Sequence, residues 1–410
     1  MNRLFDITAR LPMTFNRGSG SCLIDDTGKE YIDCWNDEGV ASLGYNTDEL
    51  QEAISTFIQS GSQHRTPRAF HSEVRDRHAE IICSATDYDR VFYANSGAEA
   101  NETAIKLARL YQSKHGNGKL GVVTVRGNFH GRTAFAMACS DSTSSPYHKQ
   151  GYGPMPALFG TIDIELDEEC EHGIRVSMVQ GDELPPGDDP ALTVDQIGAI
   201  NMAPILGNNV VTTYPLALFK ALRAWCDANG VLLIFDDVQA GAGRCGYEAT
   251  WQHPEVGIQP DITCLGKGVA LGFPMSMVLA KDEVAKAMTP GTHFNSMAGS
   301  DFICWMSSYY LTWLDRNLPL VRKRSAALKQ RLLNMPWIKD VDGYGMMLAF
   351  TPDWEGYDGY ELCKAAQDKG LLICTWRSHG PIRFNPPMNI SNSDLDKALD
   401  ILQSAYEEVA

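Results

Sequence analysis

The sequence predicts an α/β protein: a mostly parallel sheet covered by helices. Three observations carry this. Short apolar runs alternate with stretches of helical period through the middle of the chain. Val231–Phe235 has no polar alternation, as in a strand buried on both faces. The composition is that of an ordinary globular protein, with 44% hydrophobic and 21% charged residues. At 410 residues, the chain has room for two or three domains.

Taken in order, Ser21–Asp25 and Glu30–Cys34 read as strands flanking the turn Asp26-Thr27-Gly28. Helical period runs from about Asp48 to Phe57. Arg90–Ala94 is a short apolar strand, and Ala98–His115 a helix with Ala100, Ala104, Leu107, Ala108 and Tyr111 on one face. Leu120–Val125 and Ile197–Met202 are strands. Tyr214–Asn229 is a helix stopped by Gly230. Ile262–Leu265 and Met275–Ala280 complete the strands. The stretch 163–195 is rich in acids and holds Pro185, Pro186, Gly187 and Pro190, so it reads as a long surface excursion. After about Asp301 a long helical pattern gives way to mixed strands and helices. The expected division is an N-terminal segment over 1–50, a large domain over 51–300 and a C-terminal small domain over 301–410.

Charge and cysteine usage exclude several functions. The formal net charge is −16, spread along the chain, so the protein has no built-in attraction for nucleic acid. The opening MNRLFDITAR carries Arg3, Asp6 and Arg10 and has no apolar signal region. The uncharged window 196–219 is broken by Asn201, Pro204, Asn208, Asn209, Thr212 and Thr213, which a bilayer would not tolerate cheaply. It reads as a buried strand, a loop and the start of a helix. The eleven cysteines contain no CxxC, which argues against a metal site and points to reduced thiols in a cytoplasmic protein.

Three islands carry chemistry. Asn95 to Glu102 follows a strand and opens a helix. Small residues there let backbone N–H groups approach a phosphate at the helix N-terminus; the alternative is an ordinary turn capped by Ser96. Asp236 ends the buried strand, where ligands gather in parallel sheets. A carboxylate there needs a partner: a protonated ring nitrogen of a cofactor, or else a helix cap or salt bridge. Lys267 follows an apolar strand between Gly266 and Gly268. Desolvation would lower its pKa and make an imine-forming amine available; otherwise it snorkels to the surface.

The three together, with Asp236 and Lys267 31 residues apart, resemble the pyridoxal-phosphate enzymes of fold type I, and within them the class III aminotransferases. The resemblance covers nearly the whole chain. It runs through Gly28 to Asp33, Leu43-Gly44-Tyr45, SGAEANE at 96–102, Phe129 to Thr133, Pro204-Ile205, Asp236 to Gly246, Gly266-Lys267 and Arg383 to Pro387. It implies a large domain with a mostly parallel, seven-stranded-type sheet and a smaller α+β domain built from both chain ends. It implies pyridoxal phosphate as cofactor, with Lys267 as the Schiff-base lysine and Asp236 holding the ring nitrogen protonated. Val238 and Phe129 would face the two sides of the ring, Gln239 its hydroxyl, and Ser96, Gly97 and Ala98 the phosphate, with His130 also in the cofactor site. In the family a threonine from a neighbouring subunit completes the phosphate site; here Ser296 keeps the hydroxyl, which implies a homodimer with shared active sites. Arg383 matches the arginine that grips a substrate carboxylate, and Arg132 a second substrate-side arginine.

Departures from the family pattern bear on the reaction. Where the family reads EPIQGEGG, this chain has Ala203-Pro204-Ile205-Leu206-Gly207-Asn208-Asn209, and both acids are gone. The second acid often neutralises the carboxylate-binding arginine, so Asn208 implies an Arg383 that stays available. Dialkylglycine decarboxylase also lacks that acid, whereas the N-terminal part looks closest to diaminobutyrate aminotransferases. Glu38 falls where the family has a residue over the substrate's distal end, and the resemblance implies that a carboxylate there could receive an ammonium group; the alternative is an acid facing solvent. The expected reaction is transfer of an amino group from an amino acid, possibly a diamino or ω-amino acid, to a carbonyl acceptor such as 2-oxoglutarate, with Lys267 shuttling the proton. The alternative is a decarboxylase or related lyase on the same fold.

Overall fold

The structure is a computed structural model describing residues 13–65, 69–116, 118–142, 148–208 and 211–410. The N-terminal stretch read for targeting signals, and Asn209, lie outside the described residues. The chain enters through an antiparallel meander of β1 (Phe15–Ser19), β2 (Cys22–Asp25) and β3 (Glu30–Asp33). The predicted turn between β2 and β3 is tied by Asp25 Oδ1, which accepts from the N–H groups of Thr27 and Lys29 at 2.9 Å. Two helices follow, α1 (Asp48–Ser60) and α2 (Glu73–Thr86), capped by Thr47 and Ser72. The sequence reading passed over β1 and α2; the buried His78 of α2 bonds Tyr93 and Ser307 rather than marking a site.

The large sheet begins with β4 (Arg90–Ala94), then α3 (Gly97–His115), β5 (Gly121–Val125) and the short α4 (Ala134–Ala138). It continues with β6 (Phe159–Leu166), β7 (Ile174–Met178), β8 (Ile197–Met202), a small hairpin β9 (Ile205–Leu206) and β10 (Thr212–Thr213), and α5 (Leu216–Asn229). It closes with β11 (Leu232–Asp236), β12 (Ile262–Leu265) and β13 (Ser276–Ala280). The order is β4-β13-β12-β11-β8-β5-β6-β7, eight strands rather than seven. Only β7 and β13 run against the rest. β5, β8, β11, β12 and β13 are buried at every residue, which is why they read as mostly apolar runs without polar alternation.

The extra strand corrects the reading of 163–195 as a surface excursion. Its first part is the outer half of β6, turned back as β7 on the sheet edge. The rest is docked by a buried ion pair: Lys149 Nζ lies 3.0 Å from Asp188 Oδ1 and also donates to the Ala138 carbonyl at 3.2 Å.

After the short α6 (Asp282–Ala285), α7 (Asp301–Leu333) crosses to a sheet of β14 (Ile338–Tyr344), β15 (Met347–Pro352) and β17 (Ile382–Phe384). Between these come α8 (Gly359–Asp368) and β16 (Leu371–Leu372), with α9 (Asn392–Val409) last. β16 pairs in parallel with β3, so the two ends of the chain share one sheet. One apolar cluster, including Ile32, Leu265, Val269, Tyr310, Phe350 and Phe384, joins this region to the floor of the large sheet.

One buried acid at the end of β11 serves the frame. Asp237 accepts from the Thr250 N–H at 2.6 Å and from the Thr250 hydroxyl. Burial pushes its carboxyl up to about 7, against the pull of the Thr250 bonds. The native state therefore binds a proton that the unfolded chain releases near 3.8, and stability falls as pH rises through that window. Asp237→Asn should flatten that part of the pH–stability curve by on the order of 2 kcal/mol, measured by urea unfolding at several pH values; an unchanged slope would remove Asp237 as its source. A second expectation concerns the docked excursion. Lys149→Met alone strands a buried carboxylate and should cost about 3–5 kcal/mol, whereas Lys149→Met with Asp188→Leu should recover most of it. Equal losses in the single and double variants would show that the pair does not dock the segment.

Candidate active site

Strand ends and the turns that follow them build the site. β4 runs through Asn95 into Ser96, whose hydroxyl accepts from the Glu99 N–H at 3.3 Å and caps α3. The Ser276 hydroxyl donates to the Ser96 carbonyl at 2.6 Å and fixes the turn to β13. Gly97 and Ala98 open the helix onto a cleft of about 1130 Å³. A Cβ at Gly97 would lie 2.7 Å from Val238 Cγ1, so only glycine fits there. Gly131 takes φ +131° and carries the Phe129–Arg132 turn over Ala98, where a Cβ would come within 2.5 Å of the Ala98 methyl. The small residues thus permit close backbone approach, as a phosphate at a helix N-terminus requires.

Asp236 ends β11 almost fully buried and lines the same cleft. Its Oδ2 accepts from His130 Nδ1 at 2.7 Å and Asn101 Nδ2 at 3.0 Å, and its Oδ1 from the Val238 N–H at 3.2 Å. With Nδ1 donating, His130 Nε2 accepts from the Thr124 hydroxyl at 2.9 Å. Asn101 Oδ1 accepts in turn from Asn201 Nδ2 at 2.9 Å. No lysine or arginine pairs with Asp236 among the described residues; the cationic-capable group facing it is the His130 ring. The carboxylate is thus oriented without a lysine or arginine, which leaves it open to a cationic ligand atom.

Lys267 follows β12 in a left-handed conformation, φ +47°. Its Nζ donates to Glu38 Oε2 at 2.8 Å and to the Glu38 carbonyl at 3.3 Å. Burial lowers the lysine pKa, as the sequence suggested, but Glu38, 229 residues away in the chain, works against it. Burial would raise the Glu38 carboxyl; Lys267 and then Arg383 outweigh it and hold Glu38 below the usual carboxylate range. Gln239 Nε2 lies 3.4 Å from the Glu38 carbonyl.

Arg383 sits on β17, paired with Ala349 of β15, and is 3% exposed. Its Nη1 is 3.8 Å from Glu38 Oε1, and neither Nη1 nor Nη2 has a hydrogen-bond partner among the described residues. The arginine expected to stay available beside Asn208 therefore has a carboxylate nearby, supplied by Glu38. Asn208 lines the cleft, with its Nδ2 2.8 Å from the Ser142 hydroxyl, whereas Arg383 stands behind the lining residues Glu38 and Trp376. Phe129 and Arg132 line the cleft, with the guanidinium carbon 5.5 Å from the ring centre.

The fold thus brings Gly97, Ala98, Phe129, His130, Arg132, Asp236, Val238, Gln239, Lys267 and Glu38 to one cleft. Ser96 caps the helix behind it. Ser296 is outside the cleft of its own chain, its carbonyl 3.4 Å from Arg65 Nη2. The sequence reading missed Asn101, Asn201 and Thr124. The available signal was polarity on buried faces: Asn101 lies among alanines on α3, and Asn201 interrupts the apolar β8. It also missed Trp376, whose ring lies 5.8 Å from the Arg383 guanidinium carbon.

The residues fit pyridoxal phosphate by their chemistry: a small-residue helix start for a phosphate, an oriented carboxylate for a ring nitrogen and a buried amine for the aldehyde carbon. Comparison with known proteins agrees. The family model for class-III aminotransferases matches residues 7–406. An acetylornithine aminotransferase of Caldanaerobacter subterraneus is 31% identical over 99% of this chain and 98% of its own. One of Aquifex aeolicus is 32% identical over 98% of this chain and 99% of its own. The crystal structure of the ornithine aminotransferase of Toxoplasma gondii superposes with a TM-score of 0.83, at 26% identity over 99% of this chain and 93% of its own. A second structure of that enzyme shows partial occupancy of pyridoxal phosphate at its active site. The chain belongs to the class-III aminotransferases and is a pyridoxal-phosphate-dependent enzyme of fold type I.

Proposed function

We propose that the enzyme takes the amino group from a diamino or ω-amino acid, at an amine away from the α-carboxylate, and delivers it to a 2-oxo acid such as 2-oxoglutarate. The observation that carries this reading is Arg383. A buried guanidinium whose Nη groups lack hydrogen bonds is costly unless a ligand completes it. A carboxylate offers the planar pair of acceptors that the fork needs. The relatives' names, acetylornithine and ornithine aminotransferase, point to the same donor class. Arg132 is exposed in the cleft beside Phe129, which supports a role in receiving a donor's remote carboxylate.

Pyridoxal phosphate, when bound, supplies the electron sink for the bond broken at the amine-bearing carbon. The chain's residues do the rest. Lys267 Nζ would hold the cofactor, and would take the proton from the substrate's amine-bearing carbon and return it as general acid. Asp236 would hold the ring nitrogen, with His130 and Asn101 keeping Asp236 aimed. Gly97, Ala98 and Ser96 would serve the phosphate, Val238 and Phe129 the ring faces, and Gln239 the ring hydroxyl. Glu38, already bonded to the Lys267 ammonium, offers a landing point for an incoming amine.

The reading includes a homodimer in the cytoplasm. Phe294 and Met297, which flank Ser296, are exposed apolar side chains, as is Phe70. With Ser296 outside its own chain's cleft, a second copy that covers this segment could use the Ser296 hydroxyl in its own phosphate site. No helix is long and apolar enough to cross a membrane among the described residues, and the eleven free thiols suit a reducing compartment.

Borohydride reduction and peptide mapping should fix the cofactor on Lys267, and Lys267→Ala should abolish the adduct; a reduced adduct elsewhere sinks the assignment. Asp236→Asn should lower turnover by about tenfold to a hundredfold, as loss of a charged hydrogen bond does, while the cofactor still binds; near-normal turnover would make Asp236 structural. For substrate class, glutamate formation from 2-oxoglutarate should be fastest with diamino or ω-amino acids, and Arg383→Lys should raise the oxo acid's KM about tenfold to a hundredfold. Carbon dioxide release without glutamate would replace amino transfer to this acceptor by decarboxylation.

A further inference from the structure

We propose that Arg244 is a positioning residue: it reaches from the large sheet to the C-terminal region and holds Arg383 in register with Lys267 and Asp236. This rests on the reading of Arg383 as the carboxylate-binding fork.

The root of Arg244 moves with the sheet. It lies in a tight turn after β11, where the Gly241 N–H donates to the Asp237 carbonyl at 2.9 Å and the Arg244 N–H to the Gly241 carbonyl at 3.2 Å. The Cys245 N–H donates to the Ala240 carbonyl at 3.0 Å. α7 braces the turn: the Tyr310 hydroxyl donates to the Ala242 carbonyl, and a Cβ at Gly243 would lie 2.3 Å from Leu314 Cδ1.

The tip of Arg244 meets the segment that carries Arg383. Its Nη1 donates to the Pro386 carbonyl at 2.5 Å and to the Met346 carbonyl at 3.4 Å. The Met346 N–H donates back to the Arg244 carbonyl at 2.8 Å. Pro386 stands three residues beyond Arg383. Met346 lies in the turn from β14 to β15, and β15 is the strand on which Arg383 pairs. One guanidinium therefore ties both flanks of the Arg383 strand pair to the large sheet. The same segment is stitched to the chain's first part, with the Asn385 N–H on the Cys34 carbonyl at 2.6 Å and the Met388 N–H on the Ser42 carbonyl at 2.8 Å. The Ser42 hydroxyl in turn donates to the Gly268 carbonyl at 2.7 Å, next to Lys267.

The chemistry of the contact requires an arginine. Arg244 is buried, and burial lowers its pKa to about 10 against the pull of Tyr310 and Asp33. Its Nη2 has no hydrogen-bond partner among the described residues. An apolar side chain would fill that space at less cost. It could not hold two carbonyls from different strands in one plane, which is what the rigid fork does. A lysine offers a single point of contact and leaves the loop after β17 free to shift. Displacement of Arg383 by about 1 Å is enough to spoil its paired geometry toward a carboxylate. Lys267 and Asp236 hang on the sheet itself and keep their places without Arg244.

The test uses the cofactor-loaded enzyme and 2-oxoglutarate, which the resting form binds without turnover because no amino group has been delivered. Arg244→Lys keeps the charge and loses the fork. It should weaken 2-oxoglutarate binding about tenfold by calorimetry. The cofactor absorbance and the borohydride adduct on Lys267 should stay as in the wild type. Arg244→Met should weaken binding further; should it not fold, the lysine variant carries the test. Arg244→Lys combined with Arg383→Lys separates positioning from general support. A residue that acts through Arg383 adds nothing once that fork is lost, so the double variant should bind no more weakly than Arg383→Lys alone. Losses that multiply, a lower melting temperature with unchanged binding, or weakening that comes with loss of the cofactor would each overturn the positioning role and leave the Arg383 reading intact. No measurable 2-oxoglutarate binding, or binding that ignores Arg383→Lys, overturns both.

Discussion

The site depends on one carboxylate held in a nearly dry place. Asp236 ends a strand whose every residue is buried, and an isolated ion there would be expensive. The fold supplies three hydrogen-bond donors instead of a lysine or arginine: a histidine, an asparagine and a backbone N–H. Each donor is itself committed, His130 to Thr124 and Asn101 to Asn201. A lysine or arginine there would have competed for the carboxylate; this shell orients it without one.

The second constraint is reach. Lys267 and Asp236 stand at the ends of adjacent parallel strands, so the sheet sets their separation. Arg383 and Glu38 come from the two ends of the chain instead, and β16 beside β3 is the splice that puts those ends together. In the proposed reading, the sheet holds most of the groups that would face the cofactor, and the terminal segments bring Arg383 and Glu38 to the substrate side.

Legibility in the sequence followed burial. Arg90–Ala94, Ile197–Met202 and Ile262–Leu265 match their observed strands residue for residue, and two of the three are buried throughout. β6 was lost because Asp163 and Glu165 fall in its outer half, where one face meets water, and β7 because Arg175 and Ser177 break its apolar pattern. Asp236 and Lys267 could be found because strand ends are where a parallel sheet exposes side chains. The shell around Asp236 could not, since His130 and Asp236 are 106 residues apart and only the folded sheet joins them. Glu38 was placed over the substrate, but its contact with both cations hangs on a run of left-handed residues that no local signal announces.

The edges of the large sheet have a further consequence. An open sheet offers unpaired N–H and C=O groups along its outer strands, and these recruit strands from other molecules. Here the outer strand on one side is β7, whose outward Arg175 pairs with Asp167. On the other side β4 starts with Arg90, paired to Asp282. Charged pairs at both margins, together with a net charge of −16, set a barrier to edge-to-edge aggregation. An eight-stranded sheet with five wholly buried strands thus meets solvent at both margins through charged side chains rather than bare apolar edges.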